Sequence, residues 1–141
     1  MSTAMMSTEI DSRTFVVDAS RERVWRLIGK VIFSSLPGTF MAFHWHGDTF
    51  KIPRGAARIA QSEGCENQAF EFGRAIGLQF HLEYSKKSID LMFRNCSDEL
   101  VDGKYIQTPD EIISKIANVH EMNKTLNLIL DNMEREFGTP H

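Results

Sequence analysis

From Ile112 to Phe137 eight apolar residues recur at gaps of three or four: Ile112, Ile116, Val119, Met122, Leu126, Ile129, Met133 and Phe137. That is the period of an α-helix. A stripe this long needs a cover, because most helical stability in a folded chain comes from packing an apolar face. The stretch opens on TPDE, where Thr108 suits the N-cap, Pro109 the first helical position and Glu111 the reciprocal capping position. One long helix, or two with a break near His120, satisfies the pattern. The rest of the chain must therefore offer an apolar surface, and the stripe reads as a core face.

Several short runs can supply that surface. Tyr84 to Cys96 carries Ile89, Met92 and Phe93 on one side of an expected helix. TFVVDA (Thr14 to Ala19) is β-branched and aromatic, hence an expected strand. SRERVWRLIGKVI places Val24, Leu27, Ile28 and Ile32 near helical spacing behind a possible N-cap, Ser20. SLPGT is a loop. From Phe40 to Phe80 the texture becomes FMAFHWH, ARIAQSE, NQAFEF and AIGLQFH, short runs parted by turn residues, which is a meander of strands. Leu78 and Phe80 are expected on the core face of the last one. Short strands followed by helices make an α/β layer domain.

Composition narrows the function classes. A chain of 141 residues is one domain by size and long enough to bury a core. The net charge of −3, without a Lys/Arg-rich run, gives no footprint for nucleic acid. No apolar run approaches the roughly 18–20 residues of a membrane helix. MSTAMMSTEIDS lacks the basic and apolar regions of a signal peptide. Residues 1–8 read as a disordered N-terminal segment and 9–141 as the domain. Cys65 and Cys96 have no CxxC spacing and read as reduced thiols of a cytoplasmic protein.

Two stretches carry chemistry. In FHWHGDTF, His44, His46 and Asp48 stand at every second position, which on a strand puts all three on one face. Neutral imidazoles with a carboxylate suit zinc or iron, but no fourth ligand stands at a telling spacing. In GLQFHLEY, His81 and Glu83 are likewise two apart. A carboxylate beside an imidazole fixes its tautomer and orientation, the supporting half of a nucleophile–base–orienter triad. A solvent-facing pair at a strand edge has the same spacing.

The run from His44 to Ser85 resembles the class I glutamine amidotransferases, especially the stand-alone branch related to the amidotransferase domain of GMP synthase. The resemblance rests on HWHGD (His44 to Asp48), PRGA (Pro53 to Ala56), NQAF (Asn67 to Phe70) and GLQFHLE (Gly77 to Glu83). One residue departs from the pattern: Leu82 stands where the family has proline, which loosens the backbone but removes no chemical group. The resemblance implies the C-terminal portion of a flavodoxin-like amidotransferase domain. It implies His81 as general base, Glu83 as its orienter, and Trp45, His46, Gly47 and Asp48 in the wall of the glutamine pocket. No metal or other cofactor is implied.

The family's nucleophile is a cysteine in a Gly-x-Cys-x-Gly elbow, whose glycines permit a tight strand-to-helix turn. Cys65 has Glu63 and Asn67 at those positions, and Cys96 has Arg94 and Asp98. Neither forms the elbow. The expectation is therefore a C-terminal half without its nucleophile: truncated, paired with a separate N-terminal half, or kept as a non-catalytic interaction module. Such a half is expected to be marginally stable and to self-associate. The ammonia acceptor would lie on a synthase partner or another domain.

Overall fold

The computed structural model describes residues 24–26, 31–46 and 48–138. The strand expected over 14–19 and the N-terminal segment 1–8 lie outside these residues. Among those described, five short strands are β1 (Val24–Arg26), β2 (Thr39–Phe40), β3 (Ala57–Gln61), β4 (Ala69–Phe72) and β5 (Ala75–Leu78). They form one antiparallel sheet in the order β2-β1-β3-β4-β5. Three helices follow: α1 (Lys86–Cys96), α2 (Pro109–Ser114) and α3 (Val119–Phe137). The molecule is thus mixed α/β, short strands leading into helices.

The helix expected over 20–32 is corrected at its described residues. Val24–Arg26 is a strand paired on both sides, Trp25 opposite Thr39 and opposite Gln61. Val31–Phe33 is a single 3-10 turn. Two ladders of main-chain hydrogen bonds outweigh a helical spacing of four apolar residues, and Val and Trp are strong strand formers. Residues 20–23 and 27–30 lie outside the described residues.

The β4–β5 hairpin shows why this part of the chain closes where it does. Phe72 pairs with Ala75, leaving Gly73 and Arg74 as a two-residue turn. Gly73 has φ +60° and Arg74 is not left-handed, which fits a type II′ turn. Further along, Gly77 pairs with Phe70, and a Cβ on Gly77 would lie 2.1 Å from Phe70 Cε1. The glycine lets the Phe70 ring lie across the strand. Phe80 is buried and meets Phe40 edge-on, but Leu78 is exposed, against expectation. β5 is the last strand of the described sheet and a bend follows Leu78, so strict alternation does not extend through Phe80.

The apolar stripe is split. Thr108 caps α2 with a complete capping box, its Oγ1 accepting from Glu111 N–H while the Glu111 carboxylate accepts from Thr108 N–H. α2 ends at Ser114 with Lys115 as its C-cap, a 3-10 turn covers Ile116–Asn118, and α3 then begins. Ile112, Val119, Met122 and Ile129 are buried, and Ile116, Leu126, Met133 and Phe137 pack partly buried against the same core. α3 is also fastened by a polar tie. Buried Asn132 donates through Nδ2 to the Ile32 carbonyl at 2.7 Å and to Ser35 Oγ at 2.7 Å. Among the described residues no helix is long and apolar enough to cross a membrane.

Candidate active site

The two stretches singled out above meet at one point. Phe43 and His81 form an isolated antiparallel bridge, Phe43 N–H to His81 C=O at 2.9 Å and His81 N–H to Phe43 C=O at 2.8 Å. Gln79 Nε2 adds a bond to the Asp48 carbonyl at 3.0 Å. The described residues of the FHWHGD run are thereby laid alongside QFHLE, although apart from the Phe43 bridge they form no regular strand.

His81 Nδ1 lies 2.7 Å from Glu83 Oε1, while Leu82 between them is buried. The other carboxylate oxygen, Oε2, accepts from Leu82 N–H at 2.9 Å. Burial pushes the Glu83 carboxyl up, but hydrogen bonds from its own backbone, from His81 and from Leu82 outweigh it and hold the group below the ordinary carboxylate range. Glu83 is therefore an acceptor, so the proton between the pair sits on His81 Nδ1. In the neutral ring this leaves Nε2 as a lone pair. It makes no hydrogen bond to a described residue, and the side chain is 35% exposed. The Tyr84 ring meets the imidazole edge-on with centroids 5.1 Å apart.

Beside this pair is a chain of imidazoles. His44 is fully buried, and its Nδ1 lies 3.2 Å from His46 Nε2. His46 Nδ1 in turn lies 2.9 Å from the Asp48 carbonyl oxygen. A carbonyl only accepts, so His46 Nδ1 carries a proton. With both rings neutral, His46 Nε2 then accepts from His44 Nδ1–H. His44 Nε2 is left as a buried lone pair without a partner among the described residues. Burial lowers the His44 pKa well below its ordinary value, and the nearby His46 and His81 lower it further. Burial lowers His46 as well, and His81 adds to this, while the bond to the Asp48 carbonyl and the Asp48 charge oppose it.

His44, His46 and Asp48 do not converge on one centre, as the alternative metal-ligand reading would require. His44 and His46 spend their facing nitrogens on each other, and Asp48 engages His46 through its backbone. Among the described residues no three His, Cys, Asp or Glu side chains form a group suited to a metal. Trp45 turns to the other side, its Nε1 donating to Glu99 Oε2 at 2.9 Å and its ring meeting Phe93 of α1 edge-on. Phe43 and Tyr84 link Trp45 to His81 through successive ring contacts. Gly47 lies outside the described residues.

Neither cysteine makes a hydrogen bond to His81 among those found between described residues. Cys65 Sγ contacts Thr49 Oγ1 at 3.3 Å and donates to the Asn67 carbonyl at 3.7 Å, in the loop before β4. Cys96 is the last residue of α1. One residue that sequence reasoning missed is Asn123 on α3, whose Nδ2 donates to the Leu82 carbonyl at 2.6 Å and to the Tyr84 carbonyl at 3.2 Å. In sequence it is an ordinary polar residue beside the stripe.

No family model matches the chain. Over 94 residues it is 29% identical to the glutamine amidotransferase-like protein YfeJ of Salmonella typhimurium, taking in 64% of this chain and 38% of that protein. The crystal structure of a glutamine amidotransferase from Thermotoga maritima superposes with a TM-score of 0.67 at 29% identity, covering 88% of this chain and 55% of that one. The chain is thus similar to glutamine amidotransferases in sequence and in fold. A glutamine amidotransferase from Methylobacillus flagellatus shares the fold at a TM-score of 0.74 and 22% identity, over 89% of this chain and 56% of that one. The chain thus spans a little over half of the solved structures and 38% of the curated relative.

Proposed function

We propose that this amidotransferase-like chain supplies the base side of a glutaminase site, with His81 as general base and Glu83 as its orienter. Trp45, His46, Gly47 and Asp48 would wall the pocket for the glutamine side chain. One observation carries the reading: His81 Nδ1 is held 2.7 Å from the Glu83 carboxylate, leaving Nε2 as the proton acceptor.

The chemistry follows from that tautomer. A thiol brought to Nε2 gives up its proton, and the thiolate attacks the side-chain amide carbon of glutamine. The imidazolium, stabilised by Glu83, passes the proton to the departing nitrogen, so ammonia leaves and a glutamyl thioester remains. Water attacks the thioester while Nε2 takes its proton and returns it to the sulfur, which releases glutamate. Neither Cys65 nor Cys96 has the flanking glycines of the elbow, so on this reading the thiol would come from another segment in a Gly-x-Cys-x-Gly elbow. The ammonia acceptor belongs to a synthase partner or a further domain, in the cytoplasm. The lack of elbow glycines around both cysteines favours a second reading, a non-catalytic interaction module.

Co-expression with an amidotransferase segment that carries the elbow separates the two. The reassembled pair is expected to release ammonia from glutamine, the chain alone is not, and His81→Ala in the pair should lower the rate by about 10²–10⁴-fold. A reassembled pair indifferent to His81→Ala contradicts the first reading. Ammonia release by the chain alone that Cys65→Ala abolishes contradicts the placement of the nucleophile elsewhere.

A further inference from the structure

We infer that Asn123 and the main-chain N–H of Leu82 together form a positioning device that fixes the Glu83 carboxylate and, through it, the His81 ring. The inference rests on reading that pair as orienter and base. Glu83 is a half-exposed side chain, 57% accessible, and a carboxylate so placed would ordinarily rotate among several rotamers. Here both oxygens are engaged, Oε1 by His81 Nδ1 at 2.7 Å and Oε2 by Leu82 N–H at 2.9 Å. Two bonds on opposite oxygens stop rotation about the last torsion. The Leu82 donor exists only because residue 82 is not proline, which has no N–H to give.

A main-chain donor is only as fixed as its backbone, and the backbone here is held from both sides of Glu83. Asn123 directs Nδ2 to the Leu82 carbonyl at 2.6 Å and to the Tyr84 carbonyl at 3.2 Å. These two acceptors straddle Glu83. Asn123 follows Met122, which is buried in the core, so the packing of α3 sets where the amide stands. The buried Leu82 side chain anchors the same segment from the core side. Position 82 thus gains an N–H and gives up the stiffness of a proline ring, and Asn123 supplies that stiffness from 41 residues away. Asn123 touches neither a reacting atom nor a substrate, and its role is positioning.

The test uses the full chain, labelled with ¹⁵N and ¹³C, and reads two signals that mere docking of α3 would not move. The first is the Leu82 amide proton, whose shift is expected to follow the ionisation of the Glu83 carboxyl with pH and to lose that dependence in Glu83→Gln. The second is the Glu83 carboxyl carbon, whose titration midpoint is expected to move up in Asn123→Ala, since backbone freedom weakens the Leu82 bond. Asn123→Ser, which keeps one short donor, is expected to fall between Ala and wild type and serves if Asn123→Ala does not fold. A Leu82 amide indifferent to Glu83 ionisation overturns the proposal, as does a Glu83 midpoint unmoved in a folded Asn123 variant. The outcome is separable from that of the reassembled enzyme. If these signals behave as expected while His81→Ala leaves ammonia release intact, the positioning stands and the base-and-orienter reading fails.

Discussion

Protonating His44 should cost this fold stability in an amount that can be worked out. The ring is fully buried, its Nδ1–H is spent on His46, and its Nε2 has no partner among the described residues. A second proton would sit on that orphaned nitrogen with nothing to accept it, in a site where His46 and His81 already oppose positive charge. The folded-state pKa therefore lies well below the ordinary value of 6.5 that the unfolded chain is taken to have. Below pH 6.5 the unfolded state binds a proton that the folded state refuses, so stability is present above 6.5 and falls as the pH drops. One such proton is worth about 1.4 kcal/mol per pH unit, so His44 alone removes about 1.4 kcal/mol between pH 7.5 and 5.5. Set against a total of about 5–15 kcal/mol, that is a visible loss. With urea slopes of about 1–3 kcal/mol per molar, the unfolding midpoint should drop by about 0.5–1.4 M on this account. His44→Asn keeps a short donor toward His46 but cannot titrate. Its absolute stability will fall through lost packing, and the informative quantity is its smaller pH dependence. Equal midpoint shifts in the wild type and the variant would refute the neutral buried imidazole.

Two further outcomes follow from the sheet. Gly77→Ala should destabilise the chain by about 1–3 kcal/mol in urea unfolding, because the new methyl displaces the Phe70 ring; an unchanged midpoint would mean that the ring moves aside freely. At the end of the described sheet, β5 presents exposed Leu78, with Phe72 exposed on its partner β4. An edge of that kind invites pairing, so size-exclusion elution should shift with concentration and Leu78→Lys should weaken the shift; a monomer at all concentrations contradicts this.

The parts of the fold that were legible in the sequence were those decided locally. The capping box at Thr108 and the stripe behind it depend on residues a turn apart, and both are found with all eight stripe positions at least partly buried. Sequence spacing left one helix or two open, and the Lys115–Asn118 turn decides for two. Where distant partners decide, local spacing misled. Val24–Arg26 has helical neighbours in sequence but strands on both sides in space. Leu78 lost its expected burial because the strand bends after it, which no period-two pattern records. At the site, the two-residue spacing of His81 and Glu83 was legible. The alternation of His44, His46 and Asp48 was legible too, but not that its members bond to each other instead of facing a common centre. Asn123 and Asn132 could not have been found by pattern. Each is one asparagine on a helix, given meaning by a carbonyl 41 or 100 residues away.

The ring nitrogens of His81 offer the most direct test, because the whole account rests on which of them carries the proton. Nitrogen-15 shifts of the full chain above neutral pH report this for each histidine. A protonated Nδ1 and a bare Nε2 are expected for His81, with the Nδ1 signal changing in Glu83→Gln while the fold is retained. A proton on Nε2, or ring shifts that ignore Glu83→Gln, would contradict a base oriented by Glu83.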